Sequence, residues 1–148
     1  MKVKNLVKEL VDNRGKTPPL TENGYELLEV NAINPNLKRP DYTKVKKFVS
    51  KNTFDNWFRT GNIMIDDLLI PTVGTIGNCS ISKQERGCIA QNLIALRVNK
   101  NIVDPDFMYY YSITKQFKHS LLNLDIGGVQ PSIKVPHLLD LEISLPPL

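Results

Sequence analysis

Leu68-Leu69-Ile70-Pro71-Thr72-Val73-Gly74-Thr75-Ile76-Gly77-Asn78-Cys79-Ser80-Ile81-Ser82 holds two short apolar runs around a glycine-containing connection. Runs this short, bounded by Pro, Gly and Asn, read as strands rather than helices. Gln84-Glu85-Arg86-Gly87 then reads as a hairpin turn, with Cys88-Ile89-Ala90 returning. In Ile94-Ala95-Leu96-Arg97-Val98, large apolar residues alternate with small or charged ones, the pattern of a half-buried strand. Upstream, Ile63-Met64-Ile65 lies across a polar Asp66-Asp67 interruption, and Tyr25 to Val30 reads as a further strand.

Helical patterns lie on both sides of this block. Asn5 can cap a short helix over Leu6-Val7-Lys8-Glu9-Leu10-Val11 that Asn13-Arg14-Gly15 ends. A second short helix is expected around Phe54, Trp57 and Phe58, closed by Gly61. The strongest signal starts at Asp104, a natural N-cap, with Pro105 at the first helical position and Asp106 complementing the dipole. Phe107, Tyr110, Tyr111, Thr114, Phe117 and Leu121 follow on one face, which is predicted core. A glycine-rich loop over residues 125–132, a turn near Pro136 and a last strand over Leu141-Glu142-Ile143-Ser144-Leu145 complete the chain. The elements lack a strict βαβ rhythm. The expected fold is α+β: a mixed, largely antiparallel twisted sheet with flanking helices, as a single domain over residues 1–148.

Net charge is +4 over 148 residues, a mild basic excess compatible with nucleic acid and far from a histone-like tail. The positive residues cluster: Arg14 and Lys16 in one loop, Lys38 and Arg39 in another, then Lys44, Lys46, Lys47, Lys51 and Arg59. Tyr42, Phe48 and Trp57 lie among them. Phosphate binding needs positive charge near the backbone, so these nine residues are the candidate nucleic-acid contacts. A solvated surface is the alternative reading of the same residues. Gly127, Gly128, Gln130 and Pro131 are the candidate structural loop, because paired glycines permit positive φ.

Catalytic signatures are missing. The sequence has no phosphate-binding P-loop, no dinucleotide fingerprint and no nucleophile elbow, and neither cysteine has a nearby histidine. Pro40-Asp41 and Asp66-Asp67 read as cap and turn residues rather than a metal-nuclease cluster. His119 reads as a favourable charge near a helix end and His137 as a turn residue. With two cysteines and two histidines there is no zinc spacing, and no metal site is expected. Free thiols in a reducing compartment are expected. No apolar run is long enough to span a bilayer and the first residues lack a signal-peptide core, so the expected location is the cytoplasm and no membrane partner is expected.

Several segments, in order, resemble the target recognition domain of a type I restriction–modification specificity subunit. These are Val11-Asp12-Asn13-Arg14-Gly15-Lys16-Thr17-Pro18-Pro19, the strand from Gly24 to Ile33, and Asp67 to Gly77, which is similar to the family's "GDILI…VG.IG" hairpin. Ala90-Gln91-Asn92-Leu93, Asp104 to Tyr111, Gly127-Gly128-Val129-Gln130-Pro131-Ser132-Ile133, Val135-Pro136 and Leu141 to Leu148 follow. One departure is Asp66-Asp67, where the family usually has Gly-Asp; it reshapes a turn.

The resemblance implies a non-catalytic, sequence-specific DNA-binding module that reads half of a bipartite target on double-stranded DNA. It also implies a modification (methyltransferase) subunit and a motor or endonuclease subunit as partners. S-adenosylmethionine, ATP and magnesium would belong to those partners, with no cofactor in this chain. The usual subunit carries two such domains joined by long helices, so the sequence reads as one half without the spacer helices. The alternative is a truncated or regulatory half-subunit that engages the modification subunit without useful DNA binding alone.

Overall fold

A large sheet at the centre of the molecule carries helices on one face and a smaller sheet on the other. The structure is a computed structural model and describes residues 1–124, 127 and 131–144. Its strands are β1 (Val7–Val11), β2 (Tyr25–Leu28), β3 (Lys47–Val49), β4 (Leu68–Pro71), β5 (Ser80–Ile81), β6 (Cys88–Ile89) and β7 (Leu93–Val98). Its α-helices are α1 (Lys51–Asn56), α2 (Pro105–Ser112), α3 (Lys115–Leu122) and α4 (Val135–Leu139). The larger sheet has the order β1-β7-β4-β5 and is antiparallel throughout. The smaller has the order β3-β2-β6, with β2 antiparallel to β3 and parallel to β6. The α+β class expected from the sequence is what the chain adopts, built as two sheets.

Burial follows the layers. Leu68, Ile70, Ile94 and Leu96 pack with Met108, Tyr109, Phe117, Leu121 and Leu138 from the helices. The other face of the same sheet, through Leu69, Leu93 and Ala95, meets Leu28 and Ile89 of the smaller sheet. Leu27, Val49 and Cys88 then face Phe58, with Phe54 and Trp57 against them. Covered on both faces, β7 is buried everywhere except at Arg97, which is partly exposed. The half-buried strand expected there is corrected accordingly.

Four other expectations are also corrected. Residues 7–11 form a strand, not a helix, because Val7, Glu9, Leu10 and Val11 pair along β7, with a register shift at Lys8, while Val11 fills the inter-sheet core. The helix after Asp104 is two. The Asp104 side chain accepts from the Asp106 N–H at 2.8 Å, but Ile113 leaves the helical region and Thr114 caps α3 by accepting from the Phe117 N–H at 3.2 Å. The break turns the apolar stripe, so Tyr110 is exposed and Met108 and Tyr109 are buried instead. β5 and β6 do not form a hairpin: β5 pairs with β4, while β6 crosses to the other sheet beside β2. Residues 141–144 make no strand, only an isolated bridge at Glu142 to Lys2, which ties the two ends of the described chain together.

Candidate nucleic-acid interface

Loops after β1, after β4 and before β7 gather at one end of the larger sheet. Val11 is paired with Ala95 and Pro71 with Leu93, so residues 12–19, 72–78 and 90–92 leave the sheet on the same side. Only Ala90, Gln91 and Asn92 separate β6 from β7. Pro131 joins this end because its carbonyl accepts from the Gly74 N–H at 2.9 Å, and Thr72 and Ile133 are joined by a further backbone bond of 2.9 Å.

The loop after β1 is organised by Asn13, whose side chain is buried. Its amide donates to the carbonyls of Gly61 and Ile89 at 2.9 and 3.2 Å, while its oxygen accepts from the N–H and hydroxyl of Thr60. The sequence shows Asn13 as part of a helix stop and of a family-like segment; nothing in it marks partners some fifty and eighty positions away. Arg59 reinforces the loop by donating to the Arg14 carbonyl at 3.0 Å. Gly15, at φ +120, donates its N–H to the Gln91 side-chain oxygen at 3.2 Å.

This folding brings together residues 43 positions apart. Lys16 and Arg59 line one hollow of about 230 Å³ with Asn13 and Trp57. Arg14 adjoins it, with its guanidinium held by both oxygens of Asp12 at 2.8 and 2.9 Å. Partial burial would push the Asp12 carboxyl up, but hydrogen bonds from Arg14 and the charges of Arg14 and Arg59 outweigh it and hold the group below the usual range. On the other side of the loop, Lys47 lines a second hollow of about 160 Å³ with Thr17, Pro18, Glu29, Gln91 and Asn92, and is paired with Glu29 at 2.9 Å.

The remaining candidates lie outside these hollows. Lys38 is turned to α2, 3.2 Å from Asp106 and 4.8 Å from the Tyr110 ring centre. Lys51 pairs with Asp55 along α1 at 2.7 Å. Arg39, Lys44 and Lys46 are exposed side chains. Gly127 takes φ +82, a conformation that favours glycine. Gly128 and Gln130 lie outside the described residues.

The acidic pairs have structural tasks. Asp41 accepts from the Thr43 N–H at 3.1 Å as a cap. Asp66 takes φ +73 at the turn where the resemblance would place glycine, and binds Lys83 and Lys100. Asp67 is buried and paired with Arg97, a contact the sequence reading missed. Both cysteines are free and buried, and burial pushes both thiols up to about 12.

A layered α+β domain whose loops collect lysine and arginine beside an indole ring at one sheet end has the construction of a polyanion-binding module. A family model for the type I restriction modification DNA specificity domain matches residues 5–148, and the chain belongs to that family. Domains of this family are DNA-recognition modules and not enzymes. The fold agrees with solved specificity subunits. That of a type I system from M. genitalium is 17% identical over 95% of this chain and 32% of its own, with TM-score 0.61. The HsdS subunit from Thermoanaerobacter tengcongensis is 16% identical over 95% and 31%, with TM-score 0.65. A chain from a structure of type I complex assembly and conformational transition gives 16% identity over 100% and 34%, with TM-score 0.64. The present chain thus spans about a third of their length. Comparison with curated protein sequences finds no match. Among the described residues, no helix is long and apolar enough to cross a membrane.

Proposed function

We propose that this domain reads one half of a bipartite double-stranded DNA target and places partner subunits on it. The modification subunit would then methylate adenine with S-adenosylmethionine, and the motor subunit would use ATP and magnesium. This chain would supply recognition alone, in the cytoplasm. The observation that carries the reading is the meeting of Lys16 and Arg59 beside Trp57, 43 positions apart in sequence, around a loop that Asn13 and Gln91 hold in one conformation. Cations fixed on an ordered loop can grip adjacent phosphates and set the register in which other side chains meet base edges.

A salt titration of fluorescent duplex binding tests this. Each phosphate contact releases counterions, so Lys16→Ala should reduce the slope of log affinity against log salt by about 0.9. Arg59→Ala should do the same or more, since it also frees the loop. Slopes equal to that of the parent protein would remove this sheet end from the interface.

A further inference from the structure

Asn92 stands out at the rim of the second hollow. It is one of two non-glycine residues with positive φ among those described, at +66°. Its backbone is held there by its carbonyl, which accepts from the Thr72 N–H at 2.9 Å. Its side chain, by contrast, is exposed and makes no hydrogen bond among the described residues. Gln91 beside it is different. Its oxygen is engaged by the Gly15 N–H, which orients that amide and ties the pair to the loop carrying Lys16. The result is a fixed backbone, sharing its hollow with Lys47 and tied through Gln91 to the loop that carries Lys16, which projects one carboxamide with no partner among the described residues.

We propose that Asn92 is a base-reading residue of this domain and that the base it takes is adenine, with Gln91 as its positioning residue. The inference rests on the DNA-binding reading above and deepens it. A carboxamide offers one donor and one acceptor side by side. In the major groove that pair matches adenine, whose N7 accepts and whose N6 donates. Guanine presents two acceptors there, and cytosine a donor alone. Held by Thr72 and β7 on one side and by the short link to β6 on the other, Asn92 presents its amide without the loss of backbone freedom a mobile loop would suffer.

The test starts from duplexes selected by the 148-residue chain out of a random library, followed by binding to every single-base variant of the selected site. The parent should discriminate adenine from other bases at one position by about ten- to a hundred-fold. Asn92→Gly keeps the positive φ and removes the amide, so discrimination at that position alone should collapse to within about three-fold, with the salt slope as in the parent. Asn92→Asp keeps the size but only accepts, so preference should move toward cytosine, which donates from N4. A purely structural role for Asn92 would produce neither the loss at a single position nor the change of base. Unaltered base preference in both variants overturns the proposal while leaving DNA binding by the domain intact. Absence of any duplex binding by the parent overturns the DNA-binding reading itself, and this proposal with it.

Discussion

Removing Arg97 should cost this fold more than removing any other charged residue. Its guanidinium donates to both oxygens of Asp67, at 2.9 and 2.8 Å, and to Glu9 at 3.0 Å on the neighbouring strand, with which it is in register. Asp67 is 0% exposed and has one further partner, the Met64 N–H at 2.9 Å. Arg97→Ala therefore strands a carboxylate in the interior. Breaking a buried pair in this way costs about 3–5 kcal/mol. Asp67→Ala should cost less, because Arg97 keeps Glu9 and the Asn62 carbonyl and is itself partly exposed. The double variant should be less damaged than the sum of the two, since only the first removal leaves a charge unpaired. Urea unfolding followed by the fluorescence of Trp57, the only tryptophan, gives all three values. At roughly 2–4 °C per kcal/mol for a domain near this size, Arg97→Ala should lower Tm by about 6–20 °C. A loss below about 1 kcal/mol, or a larger loss for Asp67→Ala than for Arg97→Ala, would refute the reasoning.

Other perturbations have equally definite outcomes. Phe117→Ala opens a cavity at a side chain 1% exposed between α3 and the larger sheet, and should cost about 3–5 kcal/mol by the same unfolding assay. Gly24→Ala should lower Tm clearly, because at φ +138 a Cβ would collide with the Val49 carbonyl oxygen. Lys46→Ala with Lys47→Ala should weaken binding to all duplexes alike, losing about 0.9 of salt slope for each of the two that contacts phosphate. Hydrogen bonds from Lys83 and Lys38 hold the Asp106 carboxyl below its usual range, so its contribution is present above the unfolded carboxylate value and is lost as pH falls through the folded one. Stability should thus decline below about pH 4, and less steeply in Asp106→Asn, as read by Tm against pH. Both thiols should resist a disulfide reagent at neutral pH until the chain unfolds, because burial keeps them protonated and covered.

The sequence made the local features of the fold legible and left the long-range ones hidden. Asp104, Pro105 and Asp106 mark the start of α2 because a helix start is decided within four residues. The end of that helix is decided by Thr114, whose hydroxyl serves the N–H of Phe117; as a lone mid-helix threonine it reads equally well as part of the stripe. Residues 6–11 carry apolar positions that suit a helix, and only pairing with β7, almost ninety residues on, decides for a strand. Residues 80–89 read as a hairpin because nothing local says that β6 will choose β2, sixty residues earlier. At the candidate interface, Lys16 and Arg59 were recognisable as cations but not as neighbours. Their proximity depends on the Asn13 and Thr60 contacts, which no pattern of charge encodes. The free amide of Asn92 likewise has no signature beyond its residue type.

The three residues between β6 and β7 have a consequence for local stability. Four Cα steps from Ile89 to Leu93 span at most about 15 Å, too little for the two sheets to separate while both remain formed. Both ends of this bridge are also fastened: the Ile89 carbonyl to the Asn13 amide, and the Asn92 carbonyl to Thr72. A ligand seated on it is therefore held by both sheets, and is lost if either one opens. Binding should then suppress local openings in both layers by the same free energy. Amide hydrogen exchange of Leu27 in β2 and of Leu96 in β7 should slow by one common factor as duplex is added.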